Sequence, residues 1–255
     1  MDWEKELNRM KVEMPSYLEQ HRRAEILSGI EQIKSKYEKS LKDLDCLVKS
    51  RFVEMFGTVF HNKYNYDIVT IQDVCAQIKD GTHQTPEYTN DSDNGVWFMS
   101  SKDVTSGKID WNHLKLIPQY LHEELYARVA PQKGDLLLAK NGTTGVAAIV
   151  DREAIFDIYV SLALLRPIGI NSTYLWAAVN SQETKAQFDA SLKGIGVPNL
   201  HLKEIKKAKI IRPPSEKQEV FCEFVSQVDK SKSVIQKSLD ETQLLFDSLM
   251  QEYFG

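Results

Sequence analysis

No stretch of this chain approaches the ~20 apolar residues of a membrane-spanning helix, and its start, MDWEKELNRMKVEMP, lacks the apolar core of a secretory signal. Cysteine is scarce. Cys46, Cys75 and Cys222 are odd in number and widely spaced, which favours neither a disulfide framework nor a zinc site and fits a reducing, cytoplasmic setting. An excess of positive charge is missing as well: 32 Lys and Arg face 36 Asp and Glu, a net charge of −4. Phosphate binding normally calls for the opposite balance. The deficit is local, however. Residues 1–57 hold 11 basic and 11 acidic groups, 58–212 hold 17 of each, and 213–255 hold 4 and 8. The neutral middle leaves room for a local basic face, so charge neither supports nor excludes a nucleic-acid partner.

Catalytic signatures are also missing. KNGTTG lacks the spacing of a phosphate-binding loop and reads as a turn. KGIGVPN has Gly194 and Gly196 without the third glycine of a dinucleotide fingerprint. The six histidines form no His-Glu-x-x-His, and no methyltransferase Asn/Asp-Pro-Pro-aromatic motif occurs. Glu183-Thr184-Lys185 and Glu204-Ile205-Lys206 match half of a nuclease motif, but metal-dependent cleavage needs convergent carboxylates. No catalysis and no metal site are expected in this chain.

What the chain does have is a repeat. Residues 11–57 and 209–255 align without a gap at an offset of 198, with fifteen of 47 pairs identical. Two copies are too few for a solenoid. Both read as long helices entered through proline: Pro15-Ser16 in the first, Pro213-Pro214-Ser215 in the second, with Ser215 as cap and Gln218 three residues on. Apolar residues recur at Ile26, Ile30, Ile33, Tyr37, Leu41, Leu44 and Leu47, and again at Phe221, Phe224, Val228, Ile235, Leu239, Leu245 and Leu249, with Ser231 and Thr242 as interruptions. These seams are expected to pair the helices as an antiparallel coiled coil, each about 35 residues and about 50 Å long.

Between the helices, YDIVTI, VWFMSS, DLLLAK, VAAIV and YVSLALLRP read as short strands, and Asn141-Gly142 as a two-residue hairpin turn with positive φ at both positions. STYLWAAVNSQETKAQFDASL reads as one helix ending at Lys193-Gly194. The expected fold class is α+β: helical regions at 1–57 and 213–255 around one α/β domain at 58–212.

The polar loops of that domain carry groups that read base edges. Gln pairs with adenine, Lys with guanine, and Ser or Thr with either. The candidates are Lys79, Thr82, His83, Gln84 and Thr85; Ser100, Ser101 and Lys102; Lys140, Asn141, Thr143 and Thr144; and Lys193, Asn199 and His201. Lys140 and Lys102 are the candidates for phosphate contact. The plainer reading is that Thr82, Ser100 and Thr143 only satisfy turn backbone.

Taken in order, LDCLVKSRFVEMFG, KDGTHQTPEY, FMSSKDVTSGKID, KGDLLLAKNGTTGVAAIV and PNLHLKEIKKAKIIRPPSEKQ, with the flanking repeat, resemble the DNA specificity subunit of type I restriction-modification systems. That family alternates two recognition domains with two antiparallel helices, each domain reading one half of a split site on double-stranded DNA. The resemblance implies a non-catalytic chain. A separate methyltransferase (modification) subunit supplies S-adenosylmethionine-dependent adenine methylation, and a restriction subunit supplies ATP- and Mg-dependent translocation and cleavage. This chain has both helices but one recognition domain, and KELNRMKVEMP at 5–15 looks like the tail of a missing first domain. Its helix entrances also depart from the family, with Pro15-Ser16 for Pro-Pro and Lys217-Gln218 for Glu-Gln. A half-size subunit acting as a homodimer is expected. A helical-hairpin protein-interaction module and a metal-dependent nuclease stay open as alternatives.

Overall fold

A computed structural model describes residues 14–192 and 199–254. Lys193 and most of the 5–15 tail lie outside them. The chain divides into two compact units, one made of the residues up to Leu47 and from Gln227 on, the other of Val48–Ser226. Two 40-residue helices, α1 (Tyr17–Phe56) and α6 (Ser215–Phe254), supply the regular structure among the described residues of the first unit. Among the described residues no helix is long and apolar enough to cross a membrane.

In the helical unit α1 and α6 run antiparallel. Arg23 donates to the carbonyl of Tyr253 at 3.2 Å and lies over its ring, Lys34 Nζ sits 4.9 Å from the Phe246 ring, and Lys232 meets Asp45. Along the two whole helices one line of covered positions on α1 is Arg23, Leu27, Ile30, Lys34, Tyr37, Leu41, Leu44 and Val48, and on α6 Phe221, Val225, Val228, Lys232, Ile235, Leu239, Thr242 and Phe246; the expected Phe224 and Leu249 are half-buried as well. The two lines are the same eight positions at the 198 offset, stepping by four and three without a break. The expected seam is corrected in part. Ile26, Ile33, Leu47 and Leu245 are exposed, at 36–51%. Each sits one residue off the heptad line, about 100° around the helix. Leu27, Lys34, Val48 and Phe246 take their places, and Ser231 is an outward residue beside Lys232 rather than an interruption.

The repeat also has a local meaning. Gln20 Nε2 donates to the Pro15 carbonyl at 2.7 Å, and Gln218 Nε2 to the Pro213 carbonyl at 2.8 Å. The identical Pro and Gln of the two copies thus close the same turn at each helix entrance. Ser215 is the first helical residue rather than the cap: the amides of Lys217 and Gln218 donate to Pro214, the counterpart of Ser16.

Among the described residues the larger unit holds nine strands in three sheets. β1 (Asp67–Thr70) pairs antiparallel with β9 (Lys209–Arg212), joining the start of the domain to its end. A four-stranded antiparallel sheet has the order β2 (Cys75–Asp80), β8 (Leu162–Pro167), β5 (Leu136–Ala139), β6 (Ala147–Ile149). A three-stranded sheet has the order β4 (Lys115–Ile117), β3 (Val96–Met99), β7 (Phe156–Ile158), with β3 and β7 parallel. Both sheets feed one core that includes Met99, Leu137, Ala139, Phe156, Ile158, Leu162 and Leu164. The four residues of β5 are all buried, which explains why its sequence is continuously apolar rather than alternating.

Helices α2 (Gln119–Arg128), α3 (Ser172–Val179), α4 (Gln182–Ser191) and α5 (Leu202–Lys207) complete the unit. The single helix expected over STYLWAAVNSQETKAQFDASL is two. Asn180 breaks it by turning its amide onto the Ala147 carbonyl, while Ser181 caps the restart through Thr184 N. Phe52, Phe56, Tyr174 and Phe221 form an aromatic cluster with centroids 4.9–5.5 Å apart, which seats the ends of α1 and α6 that belong to this unit.

Candidate nucleic-acid interface

The chain passes from β7 in one sheet to β8 in the other through Tyr159-Val160-Ser161, and the polar loops gather on this turn. The Thr82 amide donates to the Ile158 carbonyl at 3.1 Å, and the Val160 amide donates back to Thr82 at 2.9 Å. The Tyr159 amide donates to Met99 at 2.8 Å, just before Ser100, and the Ser101 amide donates to Ser161 Oγ at 2.9 Å. The Lys140 amide donates to the Ser161 carbonyl at 2.9 Å, the Leu200 amide donates to Lys140 at 2.7 Å, and Asn141 bridges to Asn199. Three polar stretches distant in sequence meet on these three residues, and the fourth, at Asn199-Leu200, joins them through Lys140 and Asn141. Gly81 makes the first of these junctions possible: a Cβ there would lie 1.8 Å from the Ile158 carbonyl oxygen.

Of the candidate residues, His83, Gln84, Thr85, Lys102, Thr143, Asn199 and His201 are exposed; Ser100, Ser101, Asn141 and Thr144 are half-buried. Ser100 caps the 3-10 turn Ser101–Val104 together with Asp103, so the plainer reading of it, as a residue satisfying turn backbone, describes its contacts. Thr82 is buried and its hydroxyl accepts the Gln84 amide. Lys79 points its ammonium at the carbonyl of Arg128, and His201 is the residue that precedes α5 as its cap. The Asn141-Gly142 hairpin exists, but as a seven-residue loop between β5 and β6 in which Gly142 and Gly145, not Asn141, have positive φ. The Gly145 amide closing onto Ala139 lengthens the turn.

Lys140 is the clear correction. Its side chain is 7% exposed and its ammonium lies 2.9 Å from Asp80 Oδ2, so it is not available to a phosphate. Asp80 also meets Arg128 Nη2 at 3.2 Å and His83 Nε2 at 3.4 Å. Burial alone would raise the Asp80 pKa, but the hydrogen bond from Lys140 and the charges of Lys140, His83 and Arg128 outweigh it and hold the carboxyl below its usual range. Asp80, Arg128, Tyr159 and Ser161 were missed in the sequence. YVSLALLRP read as one strand because Tyr and Val are strand formers, which hid the turn at its start. The Asp-Gly pair at 80–81 was the one local signal of a chain reversal there.

Polar side chains gathered on a rigid α+β scaffold, flanked in sequence by two paired helices, define a recognition module. The chain belongs to the type I restriction modification DNA specificity domain family, whose profile matches residues 58–242. It is 22% identical over 252 residues to the type I restriction enzyme MjaVIII specificity subunit of Methanocaldococcus jannaschii, covering 91% of this chain and 58% of that one. Among solved structures it is similar to the type I restriction-modification S subunit from M. genitalium, with TM-score 0.61, 15% identity and 94% and 62% of the two chains covered. It is likewise similar to the corresponding subunit from Thermoanaerobacter tengcongensis, with TM-score 0.56, 14% identity and 92% and 56% covered. The chain therefore spans a little over half the length of these relatives.

Proposed function

We propose that this chain is a sequence-specific DNA recognition subunit of a type I restriction-modification complex, non-catalytic in itself. The observation that carries this reading is the convergence of three polar stretches on Tyr159-Val160-Ser161, with the fourth bonded to Lys140 and Asn141, which gathers His83, Gln84, Thr85, Lys102 and Asn199 as exposed donors and acceptors. Such groups read base edges in the major groove. A methyltransferase subunit using S-adenosylmethionine and a restriction subunit using ATP and Mg supply the chemistry; this chain chooses where they act. It acts as a homodimer on a split site, because two-fold pairing of copies sets two identical recognition surfaces in inverted orientation.

Selection from a pool of random-sequence DNA duplexes by the purified full-length chain tests the reading. One enriched motif, bound with an affinity that falls steeply with salt, is expected. Alanine at Gln84, Thr85 or Asn199 relaxes preference at one base pair and costs about 1–3 kcal/mol, whereas Lys102→Ala weakens all sequences alike. Absence of any enriched motif and of salt-dependent binding would favour a protein-interaction module, and magnesium-dependent nicking by the chain alone would favour a nuclease.

A further inference from the structure

Resting on that reading, we propose that the buried Asp80–Lys140 ion pair is a positioning device of the interface, fixing the loop after β2 and the loop after β5 in one register without itself touching DNA. Asp80 ends β2 and Lys140 follows β5, and these strands are not neighbours: β8 lies between them. The pair therefore reaches across the start of β8, where Asp80 is registered with Ala163 and Ala139 with Leu162. No backbone ladder joins β2 to β5. The ion pair is a direct side-chain tie between the ends of these two strands, and it closes at 2.9 Å with side chains 11% and 7% exposed.

Stability does not call for charges here. Removing two ions from water is costly, and apolar residues of similar volume usually hold a core at least as well. What an apolar pair lacks is direction. The Asp80 carboxylate fixes Lys140, whose backbone is already bonded to Ser161 and Leu200, and it holds the half-exposed Arg128 guanidinium and the exposed His83 ring beside Gln84 and Thr85. One carboxylate thus holds side chains from three segments around the reading groups.

The test compares the full-length wild type with Asp80→Leu/Lys140→Met, in which neither charge is left unpaired. The wild type must first enrich a motif from a random-duplex pool; if it enriches none, the DNA-reading function itself fails. Given that motif, the double variant is expected to keep its circular dichroism and melting midpoint while its preference for the motif over single-base variants drops by roughly tenfold or more, the scale of one lost base discrimination. Backbone amides at 81–85 and 140–145 are expected to exchange faster with deuterium, while β5 and β8 stay protected. Unchanged discrimination, or unchanged exchange in both loops, overturns the proposal. Failure of the double variant to fold also overturns it, by assigning the pair to the stability of the domain.

Discussion

Gly81 and Gly142 are needed for different reasons, and substitution separates them. A Cβ on Gly81 would penetrate the Ile158 carbonyl, so Gly81→Ala has to push β2 off the β7 turn. A Cβ on Gly142 meets nothing within 4 Å, but its φ of +74° is costly for any L side chain. Chemical denaturation is expected to show a loss of about 3 kcal/mol or more for Gly81→Ala and about 1–2 kcal/mol for Gly142→Ala. The thiols give a second contrast. Burial, then the charge of Asp135, pushes the Cys75 thiol up to about 12, and burial pushes Cys222 to about 11, while Cys46 is exposed. Only the thiolate alkylates, so at pH 8 the reactive fraction at Cys75 is about 10⁻⁴. Mass spectrometry after iodoacetamide is expected to show Cys46 modified first and Cys75 only after unfolding; early labelling of Cys75 would contradict its packing. At this scale the sequence revealed which loops are polar but not which polar groups face inward. Lys102 and Lys140 look alike in sequence, and the carboxylate that buries Lys140 lies 60 residues away.

At the scale of elements, the 4–3 line through Ile30 rather than Ile33 makes a sharp prediction. Ile30 is 8% exposed and Ile33 45%. Ile30→Asp places an unpaired carboxylate in the seam and is expected to cost about 3 kcal/mol or more, whereas Ile33→Asp stays within about 0.5 kcal/mol of wild type by thermal melting. Leu41→Asp with Leu239→Asp, at equivalent seam positions, is expected to abolish pairing of the two helices. Lys34 and Lys232 occupy another equivalent pair of positions, where charged residues fix register at a cost in stability. Replacing both with Leu is expected to raise the melting midpoint while admitting other associations, visible by ultracentrifugation. The five apolar runs each contain a strand, because burial and turn residues are local signals. The break at Asn180 was not visible, since it depends on the Ala147 carbonyl of a strand that the periodicity of the helix does not register. The seam was legible in period and only partly in phase: Ile26, Ile33 and Leu47 are apolar residues beside it, while charged Lys34 sits on it.

For the whole molecule, the proposed homodimer is tested by the symmetry of the DNA site it selects. The two helices repeat each other at the same eight seam positions, and the described residues of Val48–Ser226 hold one set of converging loops. Two-fold pairing of identical copies, the commonest closed homo-oligomer, supplies a second set in inverted orientation. Inversion has a consequence on DNA: identical readers related by a two-fold axis select a palindrome, with half-site spacing set by the protein between them. The expected outcome is therefore a dimer mass by light scattering and a selected motif of two inverted half-sites around a spacer without preference. Genome-wide mapping of methylated adenines, with and without this gene, is expected to return the same interrupted palindrome. The two measurements fail separately. A strict monomer with a methyltransferase subunit bound removes the homodimer, whereas a dimer that gives an asymmetric motif would mean that a different chain supplies the second half-site in the working complex.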